Sequence, residues 1–266
     1  MTEETDRGFV KVSRIQGGAR AWDAAVLADV DGTLREPNAP LDRATAVFLQ
    51  RLVKQGVMVV PSSGRAVEKL VALFGAVGVF CPVYCGENGG HLAHHLNGKW
   101  QDEYSGDVTQ KRRAEEHLAM CRECNGGEYE HKRRIITIHF GSLDLARKKA
   151  DIWEAHLRPL MEKSGFTVMN HPDGAVDFIP RGVSKTSIAR FLMGRFEGMP
   201  LIAAGDGVND IPMLQGVPIT PVCPGNAHPD VVRVVEANGG RQFAAPCAEG
   251  TIAGIIWALA RHGIKV

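Results

Sequence analysis

The sequence predicts an α/β fold, a parallel sheet with helices on both faces, interrupted by an inserted α+β domain. Three observations carry that prediction. Short apolar runs alternate with helical patterns over residues 22–90 and again over 181–266, which is the βαβ rhythm of a parallel sheet. The stretch 91–180 breaks the rhythm and is rich in charge and histidine. A chain of 266 residues with 44% hydrophobic content can bury one large core or two modest ones.

The elements follow in order. Residues 1–21 read as a short polar leader, and Met1 to Arg7 lack the apolar stretch of a secretory signal. The first strand ends in Val26-Leu27-Ala28 and runs into Asp29. From Asp42 to Gln55, Ala44, Val47, Phe48, Leu52 and Val53 fall at helical spacing, and Gly56 stops the helix. A strand over 57–62, a helix over 65–76 and a strand over 82–86 come next. Inside the insertion, Arg134 to Phe140 is strand-like, a helix is expected near 144–163, and two strand-like pieces follow at 166–169 and 175–179. The core then resumes with a helix over 184–196, for which Ser184 is the candidate N-cap. A strand over 200–205, a short helix near 210–215, a strand over 217–222, a helix over 229–237, a strand over 241–245 and a helix over 249–262 complete the chain.

Charge and hydropathy narrow the function. A formal net charge of +1 argues against a nucleic-acid binder. No apolar run approaches the ~20 residues of a membrane span. A cytoplasmic protein is expected.

The chemistry concentrates where the apolar runs end. Asp29-Val30-Asp31-Gly32-Thr33 delivers two carboxylates, two residues apart, to the carboxyl edge of the sheet. Open α/β sheets place their ligands at that edge. One aspartate can attack an electrophile while its neighbour handles protons, and together they can hold a divalent cation. The second strand ends in Ser62-Ser63-Gly64-Arg65, a hydroxyl, a glycine and an arginine. Lys185 opens a helical pattern. A third strand runs into the Gly-flanked acidic loop Gly205-Asp206-Gly207-Val208-Asn209-Asp210. Each piece alone could be a turn, a solvated lysine or a helix cap. All four at the ends of apolar runs are hard to attribute to chance.

These four motifs together resemble those of haloacid dehalogenase-superfamily phosphatases with a large α/β cap inserted after the second motif. The resemblance spans roughly residues 22 to 262. Among cap-bearing members the chain is similar to sucrose-phosphate, mannosyl-phosphoglycerate, phosphoglycolate and trehalose-phosphate phosphatases. It implies a Rossmann-like core made of 22–90 and 181–266, with a cap over 91–180 that sets substrate specificity. Asp29 matches the nucleophile, Asp31 the proton donor and acceptor, Ser63 the phosphate-binding hydroxyl and Lys185 the motif lysine. Asp29, Asp206 and the backbone carbonyl of Asp31 are the implied Mg²⁺ ligands, and Asp210 orders the metal's waters or holds Lys185. Glu87-Asn88-Gly89-Gly90 resembles the Asn-Gly turn that leads into such caps; Asn88 from that turn, Gly64 beside Ser63, and Asn209 of the acidic motif, in a positional rather than a catalytic role, complete the implied phosphate-binding set. Arg65 and Arg181, at the boundary between core and insertion, are the candidate arginine contacts to substrate. The implied substrate is a small phosphorylated metabolite.

The remaining features have plainer readings. Cys121-Arg122-Glu123-Cys124, flanked by His117 and His131, could hold a structural zinc, but a lone Cys-x-x-Cys reads first as reduced thiols. His91, His94 and His95 are expected on a solvated turn or strand end. Lys111-Arg112-Arg113 and His131-Lys132-Arg133-Arg134 read as solvated faces, with a minority reading in which one run faces the cleft. Two other functions stay open: a phosphomutase of the phosphomannomutase type, and a catalytically silent binding protein on the same fold.

Overall fold

Strand β1 (Ala24–Ala28) is buried along its whole length, as an apolar run covered on both faces requires. In the computed structural model, residues 22–266 are described apart from 97, 121–126, 142–143, 146–158, 160–162, 164, 172–173 and 217. Helix α1 (Arg43–Lys54) starts at Asp42, whose carboxylate accepts from the Thr45 backbone N–H at 2.8 Å. Strand β2 (Val57–Pro61), helix α2 (Val67–Ala76) and strand β3 (Val83–Gly86) follow. Strands β4 (His91–His94) and β5 (Gln101–Tyr104), helix α3 (Val108–Met120) and strands β6 (Glu128–Glu130), β7 (Ile136–His139), β8 (Phe166–Asn170) and β9 (Ala175–Pro180) come next. The chain closes with α4 (Thr186–Arg195), β10 (Leu201–Ala204), α5 (Ile211–Leu214), β11 (Ile219–Cys223), α6 (Pro229–Ala237), β12 (Arg241–Gln242) and α7 (Cys247–Arg261).

The main sheet has the order β12-β11-β10-β1-β2, with every pair parallel. Alternation along β1 divides the core between its two faces. Val26 and Ala28 pack with Leu49, Leu52, Phe74 and Leu259 on one side. Ala25 and Leu27 pack with Met58, Ile188, Leu192 and Val231 on the other. Register then positions the chemistry. Ala28 lies opposite both Ala204 and Pro61, so the segments that follow these strands leave the same edge side by side.

The inserted α+β region has its own antiparallel sheet, β6-β7-β9-β8. Period-two alternation gives it an apolar face, where Ile136, Ile138, Phe166, Val176 and Phe178 pack with Ala114 of α3. On the opposite face Thr137 stands across from Asp177.

Several elements differ from the sequence expectation. α2 begins at Val67, and β12 is only two residues long. Ser184 is not the cap of α4: the helix starts at Thr186 with Lys185 at the N-cap, and no side chain caps it. β3, β4 and β5 form a separate three-stranded antiparallel sheet. This buries His91 and His94, which were expected in solvent. Carboxylates and rings make that burial tolerable, since His91 Nε2 lies 2.8 Å from Asp102 and His94 Nε2 lies 3.2 Å from Glu103. His91 also stacks on Tyr104. The Cys121/Cys124 pair and most of the helix expected near 144–163 lie outside the described residues.

Candidate active site

Asp29 follows β1 directly and is 6% exposed. Lys185, fully buried, donates to Asp29 Oδ1 at 2.5 Å and to Asp210 Oδ1 at 2.6 Å. The loop after β10 brings the other acids. Asp206 accepts from the Thr33 hydroxyl at 2.7 Å, and Asp210 Oδ2 accepts from the Asp206 and Gly207 backbone N–H groups at 3.0 and 2.9 Å. The first loop meets the third at Gly32, which has a φ of +86° and faces Asp206 so closely that a Cβ would stand 2.3 Å from Oδ2. Both the left-handed backbone and the approach of the two loops require glycine there.

Asp31 faces away from this cluster. Its carboxylate accepts from Arg35 Nε at 3.0 Å and from Arg65 Nε at 2.6 Å. Arg65 reaches further to Asn38 Oδ1 at 2.8 Å. Ser63 is buried below that arginine, with its backbone N–H on the Cys85 carbonyl and its hydroxyl oxygen accepting from the Arg65 N–H. Asn209 donates to Asn88 Oδ1 at 3.3 Å, and Asn88 donates to Asp177 Oδ2 at 3.1 Å. Gly64 lies under the same pair, since a Cβ on it would stand 3.2 Å from Asn88 Nδ2 and 3.5 Å from Asp177 Oδ2.

The electrostatics follow from burial and crowding. Desolvation raises Asp29 well above the usual carboxylate range, and the neighbouring Asp210 charge adds to it, against the opposing pull of Lys185. Burial also pushes Asp206 up to about 6, with Thr33 pulling down and Asp210 pushing up. Lys185 is raised despite its burial, because Asp210 and Asp29 hold its proton. Asp31 goes the other way: burial would raise it, but the hydrogen bond and charge of Arg65, then the charge of Arg35, outweigh that and lower it. Asp29, Asp206 and Asp210 each offer an oxygen within 4.8 Å of the others. Three carboxylates therefore face a single ammonium, and hard oxygen donors with surplus negative charge suit a divalent cation of the Mg²⁺ type. The Asp31 carboxylate is not one of the three, because its arginines hold it elsewhere.

The family model described as sucrose-6F-phosphate phosphohydrolase matches residues 23–263. The chain belongs to that family. It is a phosphatase of the haloacid dehalogenase superfamily, a phosphoric monoester hydrolase. The phosphoglycolate phosphatase of Thermoplasma volcanium is 26% identical over 210 residues, which cover 77% of this chain and 87% of that one. A crystal structure of a Thermoplasma acidophilum protein superposes with a TM-score of 0.70 at 18% identity, over 91% of this chain and 99% of its own. The sucrose-phosphatase of Synechocystis, solved with sucrose and phosphate, superposes with a TM-score of 0.61 at 14% identity, over 91% and 98% of the two chains. At such identities the solved structures establish the fold.

Within this family member, most residues singled out in the sequence come together: Asp29, Asp31, Ser63, Gly64, Arg65, Asn88, Lys185, Asp206, Asn209 and Asp210. Arg181 does not. It follows β9 in an exposed position, its backbone N–H on the Gly165 carbonyl, and its side chain makes no ion pair among the described residues. One residue of the second basic run departs from the solvated face expected of it. Lys132 is buried, donates to Thr137 at 2.5 Å and lies 3.7 Å from Asp177. His171 completes the group, its Nε2 3.0 Å from Asp177 Oδ2. Sequence reasoning missed Asp177 and His171, and it met Glu87 and Lys132 only as members of a turn and of a basic run. The one available signal was an acid, Asp177, inside the apolar run Ala175-Val176-Asp177-Phe178-Ile179, where an unpaired charge is too costly to keep.

Proposed function

We propose that the chain is a Mg²⁺-dependent phosphatase that hydrolyses a small phosphorylated metabolite, a sugar phosphate or phosphorylated acid, through an aspartyl-phosphate on Asp29. The observation that carries this reading is the ring of Asp29, Asp206 and Asp210 around one buried lysine at the sheet's carboxyl edge. Such a ring can accept a phosphoryl group only if its charge is neutralised.

Asp29 attacks phosphorus, forming the Oδ–P bond as the ester P–O bond breaks. Lys185 offsets the charge on the transferring oxygens, while Ser63 and the Gly64 backbone hold them. Asp31 supplies the proton that the leaving alkoxide takes, then removes one from the water that splits the acyl phosphate and frees Asp29. In the resting chain Arg65 and Arg35 keep Asp31 ionised. A phosphoester that draws Arg65 away restores its ability to carry a proton. A cation held by Asp29 and Asp206, with Asp31 contributing its carbonyl, would supply further charge neutralisation. Asp210 serves mainly to hold Lys185 and to brace the acidic loop.

The division into a leader (1–21), a core (22–90 and 181–266) and a cap (91–180) is part of this proposal, with one amendment. Leu92 packs with Val83, Cys85 and Ile188 of the core, which favours a cap that begins after β5. Asn88 and Asp177 adjoin the phosphate loop at Gly64, and with Lys132 and His171, both paired to Asp177, they are the proposed contacts to the leaving group. A reducing, cytoplasmic setting suits Cys81, Cys85, Cys223 and Cys247, which are free and buried.

Phosphate release from p-nitrophenyl phosphate, sucrose 6F-phosphate and 2-phosphoglycolate, with Mg²⁺ and then with EDTA, tests the reading. Mg²⁺-dependent release on at least one ester is expected. Hexose-phosphate isomerisation without release would replace it with a mutase, and no turnover of any ester would leave a binding protein.

A further inference from the structure

The turn between β3 and β4 holds two buried residues, Glu87 and Asn88, in the left-handed region at φ values of 55° and 53°. Neither is glycine, so the conformation persists only where the surroundings over-determine it. Those surroundings come from both sides. Through its backbone the turn grips the phosphate loop: the Glu87 N–H donates to the Arg65 carbonyl at 2.9 Å and the Asn88 N–H to the Ser63 carbonyl at 3.0 Å. Through its side chains it grips the cap. The Glu87 carboxylate accepts three consecutive backbone N–H groups, those of Arg133, Arg134 and Ile135, at 2.8, 2.5 and 3.2 Å. Asn88 binds Asp177 of β9 on one side and Asn209 of the acidic loop on the other.

We propose that Glu87 is a positioning residue that couples the seating of the cap to the shape of the phosphate loop. The inference rests on the phosphatase reading only for what it says about turnover. If segment 133–135 withdraws, a buried carboxylate loses three donors at once, a cost large enough to force the turn to move. The carbonyls of Ser63 and Arg65 then lose their donors, and the loop that carries Ser63 and Gly64 shifts. The coupling runs equally in reverse, since an anion that orders the loop must favour the seated cap by the same factor.

Hydrogen exchange on the full chain and on Glu87→Gln tests this without any activity. Faster exchange is expected together at 131–136 and at 62–66, with β1 and β10 unchanged. Faster exchange at 131–136 alone would make Glu87 a cap anchor and overturn the coupling, and a rise that spreads through β1 and β10 would overturn it in favour of a purely structural role. Inorganic phosphate with Mg²⁺ supplies the reciprocal measurement. It should slow exchange at both segments in the wild type, but only at 62–66 in Glu87→Gln. Protection confined to 62–66 in the wild type would also refute the coupling. No protection anywhere would count against the phosphatase reading, and the ligand-free comparison would still decide the coupling. On p-nitrophenyl phosphate, Glu87→Gln should lose kcat on the order of 10²-fold, the scale of a 1 Å misplacement, with KM little changed. Glu87→Asp, which keeps the charge, should recover part of the loss.

Discussion

Replacing Lys185 with Met isolates the electrostatic core of the site. Methionine preserves most of the length and apolar volume of the stem but removes the ammonium. In the wild type that ammonium is fully buried and hydrogen-bonded to both Asp29 and Asp210. Its loss leaves two buried carboxylates without their cation, with Asp206 still beside them. Breaking a buried pair by removing one partner costs about 3–5 kcal/mol. For a folded unit of this size each kcal/mol moves Tm by about 2–4 °C, so the variant should melt about 6–20 °C below the wild type at pH 8. The deficit should shrink toward pH 5.5. Asp29 is already raised, and without Lys185 it rises further. A carboxyl with a raised folded-state pKa contributes stability that is fully present below its unfolded value and is lost as pH rises through its folded one. Adding Asp210→Asn should recover part of the loss, because the two changes act on one contact. Thermal melts by circular dichroism at the two pH values measure all of this. A single variant that melts within about 2 °C of the wild type at pH 8 would sink the claim that Lys185 neutralises the cluster.

Three further outcomes are expected. Asp29→Asn should fold normally and lose turnover by on the order of 10³–10⁴-fold, whereas Asp31→Asn should accumulate a phosphorylated Asp29 visible by mass spectrometry with an activated aryl ester; wild-type turnover in Asp29→Asn would rule out the covalent route. Asp206, pushed up to about 6 from 3.8, contributes stability below its unfolded value that is lost as pH rises through its folded one, and a cation must displace its proton. The Tm gain from Mg²⁺ should therefore grow between pH 5 and pH 7.5, and a gain independent of pH would remove Asp206 from the metal site. Asp177→Asn should raise KM for the larger phosphoester about tenfold, the cost of roughly one hydrogen bond to a charged group, yet leave p-nitrophenyl phosphate hydrolysis nearly unchanged. An equal loss on both substrates would move Asp177 from leaving-group recognition to the chemistry or the fold.

Local and periodic features were legible in the amino-acid sequence. The apolar run before Asp29, the run before Asp206 and the helical spacing between them dictated a parallel sheet with helices on both faces, because burial on two faces leaves no other arrangement for such strands. In a parallel sheet the ends of neighbouring strands share an edge, so the meeting of Asp29, Ser63 and Asp206 was already implied once the strands were recognised. The tertiary structure decided everything that depends on which way a side chain turns and on what comes opposite it. Asp31 lies two residues from Asp29, yet it belongs to Arg35 and Arg65 instead of the acidic ring. Arg181 has the chemistry of a substrate contact but leaves its strand into solvent. Lys132, in a run of exposed-looking charge, is buried because Thr137 and Asp177 meet it across a sheet whose register no single strand reveals. Glu87 shows the same limit most sharply. Its three partners are backbone N–H groups, which every residue but proline carries, so no pattern of side chains could have announced them.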